Sequence, residues 1–436
     1  MFGTSGIRGP VGEDVTAELA LSVARAVGVD ADRVVVGRDA RESGRLLVDA
    51  FTAGLRESGT DVVDLGLAAT PTVARSVAAE DADAGVSVTA SHNPAPDNGI
   101  KLWQPSGQAF DGPLQDTITE RVREDVTDLR PWDDLGDRVR RDAAERHVDA
   151  LVDAVRIDGP LSVVVDLGNG AGGVAVDALQ RLGCEVETLN AQPDGSFPGR
   201  PSEPTAENCE SLATLVAESD ADLGIAHDGD ADRMRCVAAD GTYLSGDVTL
   251  ALLAREAASP GERVAAPVDT SLAVDDHLAE IDVSVERTRV GDVYVAERAS
   301  EPGVAFGGEP SGAWIWPAET LCPDGPLAAC KVAALAAERP LADRLAAVET
   351  YPIRRDAVET DEKDAVMERV SERVLAEYDE VTTLDGVRVD LGDAWFLLRA
   401  SGTQPIVRIT AEARDADRAE AVFAEARNLL VDAVEA

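Results

Sequence analysis

The sequence has 436 residues, more than one hydrophobic core usually serves, so we expect about three domains or four small ones. Apolar residues make up 44% and charged residues 28% of the chain, which predicts a folded protein and excludes a disordered one. The 82 acidic and 40 basic residues leave a net charge of −42, which would repel nucleic acid and anionic membranes. Only three of the basic residues are lysines, and this composition indicates a salt-rich cytosol, hence an extreme halophile.

The cysteines and the first residues indicate a cytoplasmic protein. The cysteines are five in number and contain no Cys-x-x-Cys pair, which favours free thiols over disulfides or a zinc site. Residues 1–15 lack the apolar core of a signal peptide, and no run of about 18 apolar residues predicts a membrane helix. We expect no membrane or nucleic-acid partner, and the sequence does not indicate an oligomeric state.

One pattern of elements occurs three times along the chain. Each copy predicts a strand, a helix, a second strand, a helix, and a third strand that leads into a polar loop. The predicted strands of the three copies cover 33–36, 61–65 and 84–88, then 161–165, 184–189 and 221–226, then 263–267, 282–286 and 303–306. Beyond about residue 350 we expect a helix at 363–376, short strands between 381 and 411, and a final helix at 415–434.

These elements predict an α/β protein with three similar mixed α/β domains and a smaller C-terminal α+β domain. The expected domains cover 1–145, 146–247, 248–348 and 349–436. Because binding loops gather at the ends of strands in such folds, the loops after the three third strands are the expected functional ones.

The first of these loops reads TASHNP over 89–94 and is followed by DNGIK over 97–101. A hydroxyl at Ser91, an imidazole at His92 and an amine at Lys101 thus lie within eleven residues, which suits a nucleophile. The alternative is an ordinary turn or helix cap, since Ser-x-Asn-Pro is common in both.

The second loop places Asp228, Asp230 and Asp232 directly after an apolar strand. Three close carboxylates repel one another unless a cation compensates them, and hard oxygen ligands suit Mg²⁺. A solvated acidic turn is the alternative in so acidic a chain. An EF-hand is disfavoured because the sixth position of the loop is Arg233, where that motif needs glycine.

Two further loops have the composition of ligand-binding sites. Glu309 and Ser311 lie on a glycine-flanked turn that suits sugar hydroxyls, although a plain turn explains them equally well. The segment RASGTQP over 399–405 combines a guanidinium, two hydroxyls and a glycine, the usual components of a phosphate cradle. The N-terminal segment GTSGIRG over 3–9 has a similar but weaker composition.

The segment 168–173 matches the dinucleotide fingerprint G-x-G-x-x-G and follows a predicted strand. Glu187, nineteen residues after Gly168, could bind the ribose of such a ligand. An NAD-binding oxidoreductase is therefore an alternative, but it leaves the other loops unexplained.

Taken in order, the segments 89–94, 228–233, 308–312 and 399–403 resemble the four signature loops of the α-D-phosphohexomutase family. The resemblance spans nearly the whole chain. It implies a heart-shaped, four-domain enzyme whose loops converge on a central cleft. Such an enzyme interconverts hexose 6-phosphates and hexose 1-phosphates through a phosphoserine and a bisphosphate intermediate.

The resemblance also implies a role for each site residue. Ser91 would carry the phosphate and, with Asp228, Asp230 and Asp232, would bind Mg²⁺ as the cofactor. The implied groups around the transferring phosphate are Arg8, His92, Lys101 and Arg233, with Lys101 a candidate for proton transfer. Glu309 and Ser311 would bind sugar hydroxyls. The residues implied to clamp the other phosphate are Arg399, Ser401, Gly402 and Thr403.

Within the family, the segment RTRVGDVYV over 287–295, which includes Arg289, resembles the corresponding loop of phosphoglucosamine mutases. Glucosamine phosphate is therefore the expected small-molecule substrate, with phosphoglucomutase or phosphomannomutase activity as the alternative. Two residues depart from the family pattern. Ala313 replaces a common histidine and puts the second proton-transfer group in doubt, and Gln404 replaces the usual glutamate of the phosphate loop.

Two alternatives belong to other classes of protein. A metal-dependent phosphatase would use Asp228 as its nucleophile and carry the phosphate there instead of on Ser91. A sugar-phosphate sensor without catalysis would bind the ligand but would need neither Ser91 nor the acidic cluster.

Overall fold

The computed structural model describes residues 1–3, 6–401 and 405–435, which form four sheets with flanking helices. The elements of the N-terminal unit are β1 (Ile7–Pro10), α1 (Ala17–Gly28), β2 (Arg33–Arg38), α2 (Gly44–Glu57), β3 (Asp61–Leu67), α3 (Thr70–Ala79), β4 (Ala84–Val88), β5 (Asp97–Trp103), α4 (Gly112–Arg123) and β6 (Arg138–Arg140). Its sheet has the strand order β1-β5-β4-β2-β3-β6.

Two smaller units follow. The elements of the second are α5 (Ala144–Ala154), β7 (Ser162–Asp166), α6 (Gly173–Arg181), β8 (Glu185–Leu189), α7 (Glu210–Ala217), β9 (Leu223–His227) and β10 (Met234–Ala238). Those of the third are α8 (Gly246–Ala257), β11 (Arg263–Pro267), α9 (Leu272–Ala279), β12 (Ser284–Thr288), α10 (Asp292–Ala299), β13 (Val304–Gly308), β14 (Trp314–Ile315), α11 (Gly325–Glu338) and α12 (Leu341–Leu345).

The C-terminal unit has a different architecture, as the sequence predicts. Its elements are β15 (Ile353–Glu359), α13 (Lys363–Glu377), β16 (Val381–Thr382), β17 (Val387–Asp390), β18 (Ala394–Ala400), β19 (Ile406–Ala413) and α14 (Ala416–Glu435). The strands form one antiparallel sheet in the order β15-β19-β18-β17-β16, and α13 and α14 pack on it. The α/β fold class is thus confirmed.

The predicted triplication is visible in the strand orders β5-β4-β2-β3, β10-β9-β7-β8 and β14-β13-β11-β12. In each sheet the three predicted strands are parallel, and a fourth strand runs antiparallel to the third. The sequence analysis missed these fourth strands. They follow directly on polar loops, and β14 is only two residues long, so no period of alternation could be read from it.

The first sheet shows how the apolar runs build the core. In β2, Val34 and Val36 pack with α1 and α2 on one face, while Val35 packs against Val73 of α3 on the other. A parallel strand that is covered on both faces reads as a continuous apolar run, which is why β2 was predictable. Each third strand thus has a buried position, and its loop emerges at a fixed edge of the sheet. No helix in the described ranges is long and apolar enough to cross a membrane.

Candidate active site

The loops that join the third and fourth strands of the three similar sheets meet β1 and the C-terminal unit at one cleft of about 630 Å³. The predicted residues that line it are Arg8, His92, Arg233, Glu309, Ser311, Arg399 and Ser401. Asp269 and Arg408 also line it and were not predicted. Ser91, Lys101 and the three aspartates are buried and contact one another as described below.

Ser91 lies in the loop after β4 with its backbone in the left-handed region, at a φ of 49°. Its hydroxyl donates a hydrogen bond to Asp228 Oδ2 at 2.6 Å and lies 3.3 Å from His92 Nδ1. Its backbone N–H donates to Thr89 Oγ1 at 2.8 Å. Such a backbone conformation is costly for a serine, and this one directs the hydroxyl at the acidic loop of the second unit.

Arg41, which the sequence analysis did not single out, holds the Ser91 loop in place. Its side chain is completely buried, and its Nε pairs with Asp39 Oδ2 at 3.0 Å. Its two Nη atoms donate to four backbone carbonyls of one short segment, those of Ser91 (2.8 Å), Asn93 (2.6 Å), Pro94 (2.6 Å) and Asp97 (2.8 Å). One guanidinium thus binds four carbonyls of the turn, including the buried carbonyl of Ser91.

The carboxylates of Asp228, Asp230 and Asp232 are buried, and one oxygen of each lies within 4.8 Å of the others. Burial and mutual repulsion raise the pKa of Asp228 well above its usual range and that of Asp232 to about 6. Thr70 Oγ1 donates to Asp230 Oδ2 at 2.6 Å, but Oδ1 of Asp230 and Oδ1 of Asp232 are buried without a hydrogen-bond partner. Unsatisfied carboxylate oxygens in this arrangement fit a hard divalent cation such as Mg²⁺.

Lys101 lies on β5, and its ammonium contacts Asp292 Oδ2 at 2.5 Å and Asp232 Oδ2 at 3.6 Å. Burial would lower the pKa of Lys101, but these two carboxylates outweigh it and hold the pKa above its ordinary value. Asp292 begins α10 and was not among the predicted site residues. It lies within the segment 287–295 that the sequence analysis compared with phosphoglucosamine mutases, but nothing in that segment marks Lys101 as its partner.

Positive charge surrounds His92. Burial, together with the charges of Arg233, Arg8, Arg41 and Lys101, lowers the pKa of His92 to about 2, so the imidazole is neutral. Arg8 contributes a buried Nε without a hydrogen-bond partner. These cations make this wall of the cleft suitable for phosphate oxygens.

Glu309 lies at the end of β13 and is held by two hydrogen bonds. Its Oε1 accepts from Gly291 N at 2.7 Å, and its Oε2 accepts from Ser311 Oγ at 3.2 Å. Burial and the nearby Asp292 carboxylate raise the pKa of Glu309 to about 7. Ala313 is buried, and its carbonyl accepts from Glu309 N at 2.9 Å, so it helps close the Glu309 turn.

The C-terminal unit contributes Arg399 and Ser401 to the cleft, while Gly402, Thr403 and Gln404 lie outside the described residues. Arg399 Nη1 pairs with Asp385 Oδ2 at 3.1 Å, and the same oxygen accepts from Val290 N at 3.0 Å. Arg289 is exposed and is not among the described residues that line the cleft. Its Nε donates to the carbonyl of Leu384 at 3.1 Å. The third and fourth units are therefore joined beside the site.

Two glycines of the dinucleotide-like segment, Gly168 and Gly170, have a packing explanation. A Cβ at Gly168 would lie 2.7 Å from the Arg200 guanidinium, and one at Gly170 would lie 2.6 Å from the carbonyl of Gly229. The segment thus lies against the acidic loop itself. Glu187, the expected ribose ligand, lies on β8 and is exposed.

Four family models match most of this chain. The matches are to phosphoglucomutase/phosphomannomutase alpha/beta/alpha domain I over residues 1–128, domain II over 145–241, domain III over 245–351, and the C-terminal domain over 329–429. The chain belongs to the phosphoglucomutase/phosphomannomutase family.

Several relatives within this family carry the same name. The chain is 46% identical to a "Probable phosphoglucosamine mutase" of Methanopyrus kandleri, over 99% of this chain and 97% of the relative. It is 44% identical to a protein of the same name from Methanothermobacter thermautotrophicus, over 100% and 98% of the two chains. Among solved structures, a phosphoglucomutase/phosphomannomutase family protein of Burkholderia thailandensis has a TM-score of 0.89 at 29% identity, covering 99% of this chain and 98% of the other.

Proposed function

We propose that the protein is a phosphoglucosamine mutase, which converts glucosamine 6-phosphate to glucosamine 1-phosphate through a phosphoserine at Ser91 and a bisphosphate intermediate. The observation that carries the proposal is the hydrogen bond of 2.6 Å from the Ser91 hydroxyl to Asp228, in a buried cluster of three carboxylates. Family membership and the names of the relatives support the same reaction.

The acidic cluster would hold Mg²⁺ through Asp228, Asp230 and Asp232, together with an oxygen of the phosphate on Ser91. The unpartnered oxygens of Asp230 and Asp232 support this ligand set. A bound divalent ion supplies positive charge that offsets the charge on a transferring phosphoryl group. Thr70 orients Asp230 through its hydroxyl, as the outer hydrogen bonds of metal sites commonly do.

The transfer itself breaks the bond between Ser91 Oγ and phosphorus and forms one from phosphorus to a sugar hydroxyl. The sugar hydroxyl loses a proton and the seryl oxygen gains one, so the protons balance. Lys101 holds its proton and can therefore donate it and compensate charge. The neutral His92, 3.3 Å from the seryl oxygen, would orient that atom through a hydrogen bond and would not take up a proton, because its pKa is lowered to about 2. Arg8 and Arg233 would bind the remaining phosphate oxygens.

The intermediate must then turn round, so that its other phosphate returns to Ser91. Glu309 and Ser311 would bind sugar hydroxyls in both orientations. The residues that would clamp the phosphate that is not reacting are Arg399, Ser401, Gly402 and Thr403. Arg408, a residue of the cleft that was not predicted, would widen this contact. We assign Arg289 a supporting role, because it contacts the Leu384 turn of the C-terminal unit.

The net charge of −42 and the near absence of lysine support a working environment of high salt, since close carboxylates repel less when salt screens them. We therefore propose a halophilic, cytoplasmic enzyme that acts on a small phosphosugar, without a nucleic-acid or membrane partner. The four domains proposed for it cover 1–145, 146–247, 248–348 and 349–436.

The assay that tests this function compares three substrates, glucosamine, glucose and mannose 6-phosphates, in multimolar KCl with Mg²⁺ and a trace of glucose 1,6-bisphosphate. We expect the fastest turnover with glucosamine 6-phosphate and none with Ser91→Ala. Turnover led by glucose or mannose 6-phosphate would make the protein a phosphoglucomutase or phosphomannomutase instead. Release of free phosphate without a 1-phosphate product would favour an Asp228 phosphatase.

A further inference from the structure

A second cavity in the N-terminal unit has an unusual charge for this protein. It has a volume of about 410 Å³ and lies where β2 and β3 end, beside α2 and β6. Its charged lining residues are Arg38, Arg45, Arg138 and Arg140 with Asp49 and Asp64. The lining is therefore net positive, although the whole chain carries a charge of −42. It shares no lining residue with the catalytic cleft.

One of the four arginines is neutralised by the two carboxylates. Arg138 pairs with Asp64 Oδ2 at 2.8 Å and with Asp49 Oδ1 at 3.4 Å. Asp64 is further occupied, since its Oδ1 accepts from Gly66 N at 2.8 Å. The two acidic groups of the cavity are thus committed to Arg138 and the backbone.

The other three arginines form no ion pair with a carboxylate in the described part of the chain, although Asp39 and Asp64 attract Arg38 at longer range. Arg38 is half-buried, and Arg45 and Arg140 are exposed, so their guanidinium groups are open to a ligand from solvent. Arg38 Nη1 donates only to the carbonyl of Asp39, at 2.8 Å, and the guanidinium groups of Arg45 and Arg140 make no hydrogen bond or ion pair with described residues. Burial and the positive charges of Arg45 and Arg140 lower the pKa of Arg38. Three cations that repel one another, in a protein with twice as many acidic as basic residues, indicate a place for an anion.

The backbone is shaped for this arrangement. Gly66 has a φ of +69°, and a Cβ at this position would lie 2.5 Å from Arg140 Nη2. A side chain there would displace the Arg140 guanidinium from the cavity. Glycine therefore meets two requirements here, the left-handed backbone and the close approach of a cation.

We propose that this cavity binds a phosphoryl group of a small molecule, through the guanidinium groups of Arg38, Arg45 and Arg140. Guanidinium groups suit phosphate because several donors can address its oxygens at once. The volume exceeds that of a lone phosphate and would admit a phosphorylated sugar. The inference does not depend on the proposed mutase function.

The position of the cavity links it to the nucleophile. Arg38 holds the carbonyl of Asp39, the Asp39 carboxylate accepts from Thr89 Oγ1 at 2.7 Å, and Thr89 Oγ1 accepts from Ser91 N at 2.8 Å. An anion that draws the Arg38 guanidinium towards the cavity would weaken its hydrogen bond to the Asp39 carbonyl, which is the first of these contacts.

The test compares a double variant of the cavity, Arg45→Gln/Arg140→Gln, with a control, Arg123→Gln/Arg156→Gln, which removes the same charge from two exposed arginines outside the cavity. The probe is inorganic phosphate, titrated calorimetrically in KCl, with the shift of the unfolding temperature as a second readout. Phosphate bound in the catalytic cleft contributes equally to all three proteins, so the difference between the variants reports on the cavity.

We expect wild type and the control to show phosphate binding beyond the cleft, and the cavity variant to lose about tenfold or more of that affinity with turnover unchanged. Equal binding by the cavity variant and the control would overturn the proposal, as would the absence of any site beyond the cleft in wild type. The single variants Arg45→Gln and Arg140→Gln give the same comparison if the double variant does not fold. A repeat with glucosamine 6-phosphate separates a phosphosugar, which would bind more tightly than phosphate, from phosphate itself.

Discussion

Replacement of Arg41 by glutamine tests whether one guanidinium holds the Ser91 loop. The change removes the guanidinium from four carbonyls of the loop, of which that of Ser91 is fully buried. It also removes the cation from the buried Asp39 carboxylate, which keeps its hydrogen bonds from Thr89 Oγ1 and from the backbone N–H of residue 41. Removing one partner of a buried ion pair typically costs about 3–5 kcal/mol, and each charge-assisted hydrogen bond about 1.5–3 kcal/mol. These two costs do not add fully, because the loop can relax and water can replace part of the lost hydrogen bonds. We therefore expect the free energy of unfolding to fall by about 3–5 kcal/mol, a large part of the usual 5–15 kcal/mol.

Turnover should fall further than stability alone explains. A displacement of about 1 Å at a reacting group can cost about a hundredfold in rate, and Arg41 contacts the carbonyl of Ser91 itself. The assay combines urea unfolding and mutase turnover, both in multimolar KCl. Arg41→Lys should regain part of the stability through Asp39 but little of the turnover, because an ammonium cannot reach all four carbonyls.

Arg156→Gln, at an exposed position, is the control for loss of one charge. It should leave both stability and turnover unchanged. If Arg41→Gln lost less than about 1 kcal/mol and kept its turnover within about threefold of wild type, Arg41 would not position the loop.

Three further predictions concern single contacts of the site. Asp292→Asn should lower the pKa of Lys101, because the Asp292 charge no longer opposes the effect of burial. The alkaline limb of the pH–rate profile should then move to lower pH, and an unmoved limb would contradict the role of this pair. The Glu309 carboxyl, with its pKa raised to about 7, keeps a proton that the unfolded chain loses near its usual value of 4.5. The free energy of unfolding should therefore fall as the pH rises from about 5 to 7, and it should fall less in Glu309→Gln than in wild type. Urea titrations at several pH values measure it, and the same pH dependence in both proteins would refute the raised pKa of Glu309. Thr70→Val removes the donor to Asp230 and should weaken Mg²⁺ binding about 10- to 100-fold in calorimetry, and unchanged affinity would show that Thr70 does not orient the ligand.

Much of the fold was predictable because the central parallel strands β2, β7 and β11 are buried on both faces. Runs such as VVVG in β2 and VAAP in β11 are apolar without interruption, and the loops after the third strands have distinct polar sequences. The antiparallel fourth strands were missed because they are short and continue from those loops. β15 was missed as well, since its sequence IRRDAVE is mostly polar. The domain boundaries remain predictions.

The site was predictable where it is local and not where it depends on distant contacts. The motif around Ser91 and the three aspartates could each be recognised in a few residues. The pairing of Lys101 with Asp292 joins positions 191 residues apart, and no local pattern marks it. Arg41 was missed for a related reason, since its side chain binds backbone carbonyls 50 to 56 positions away, and carbonyls carry no sequence signal.

The most direct test of the central claim is to locate the phosphate on the enzyme. The protein is incubated with glucose 1,6-bisphosphate carrying labelled phosphate, in multimolar KCl with Mg²⁺, and the labelled peptide is identified by mass spectrometry. We predict an acid-stable phosphate ester on Ser91, absent in Ser91→Ala, that glucosamine 6-phosphate removes as a bisphosphate. An acid-labile phosphate on Asp228, or label that leaves only as free phosphate, would contradict the mutase mechanism.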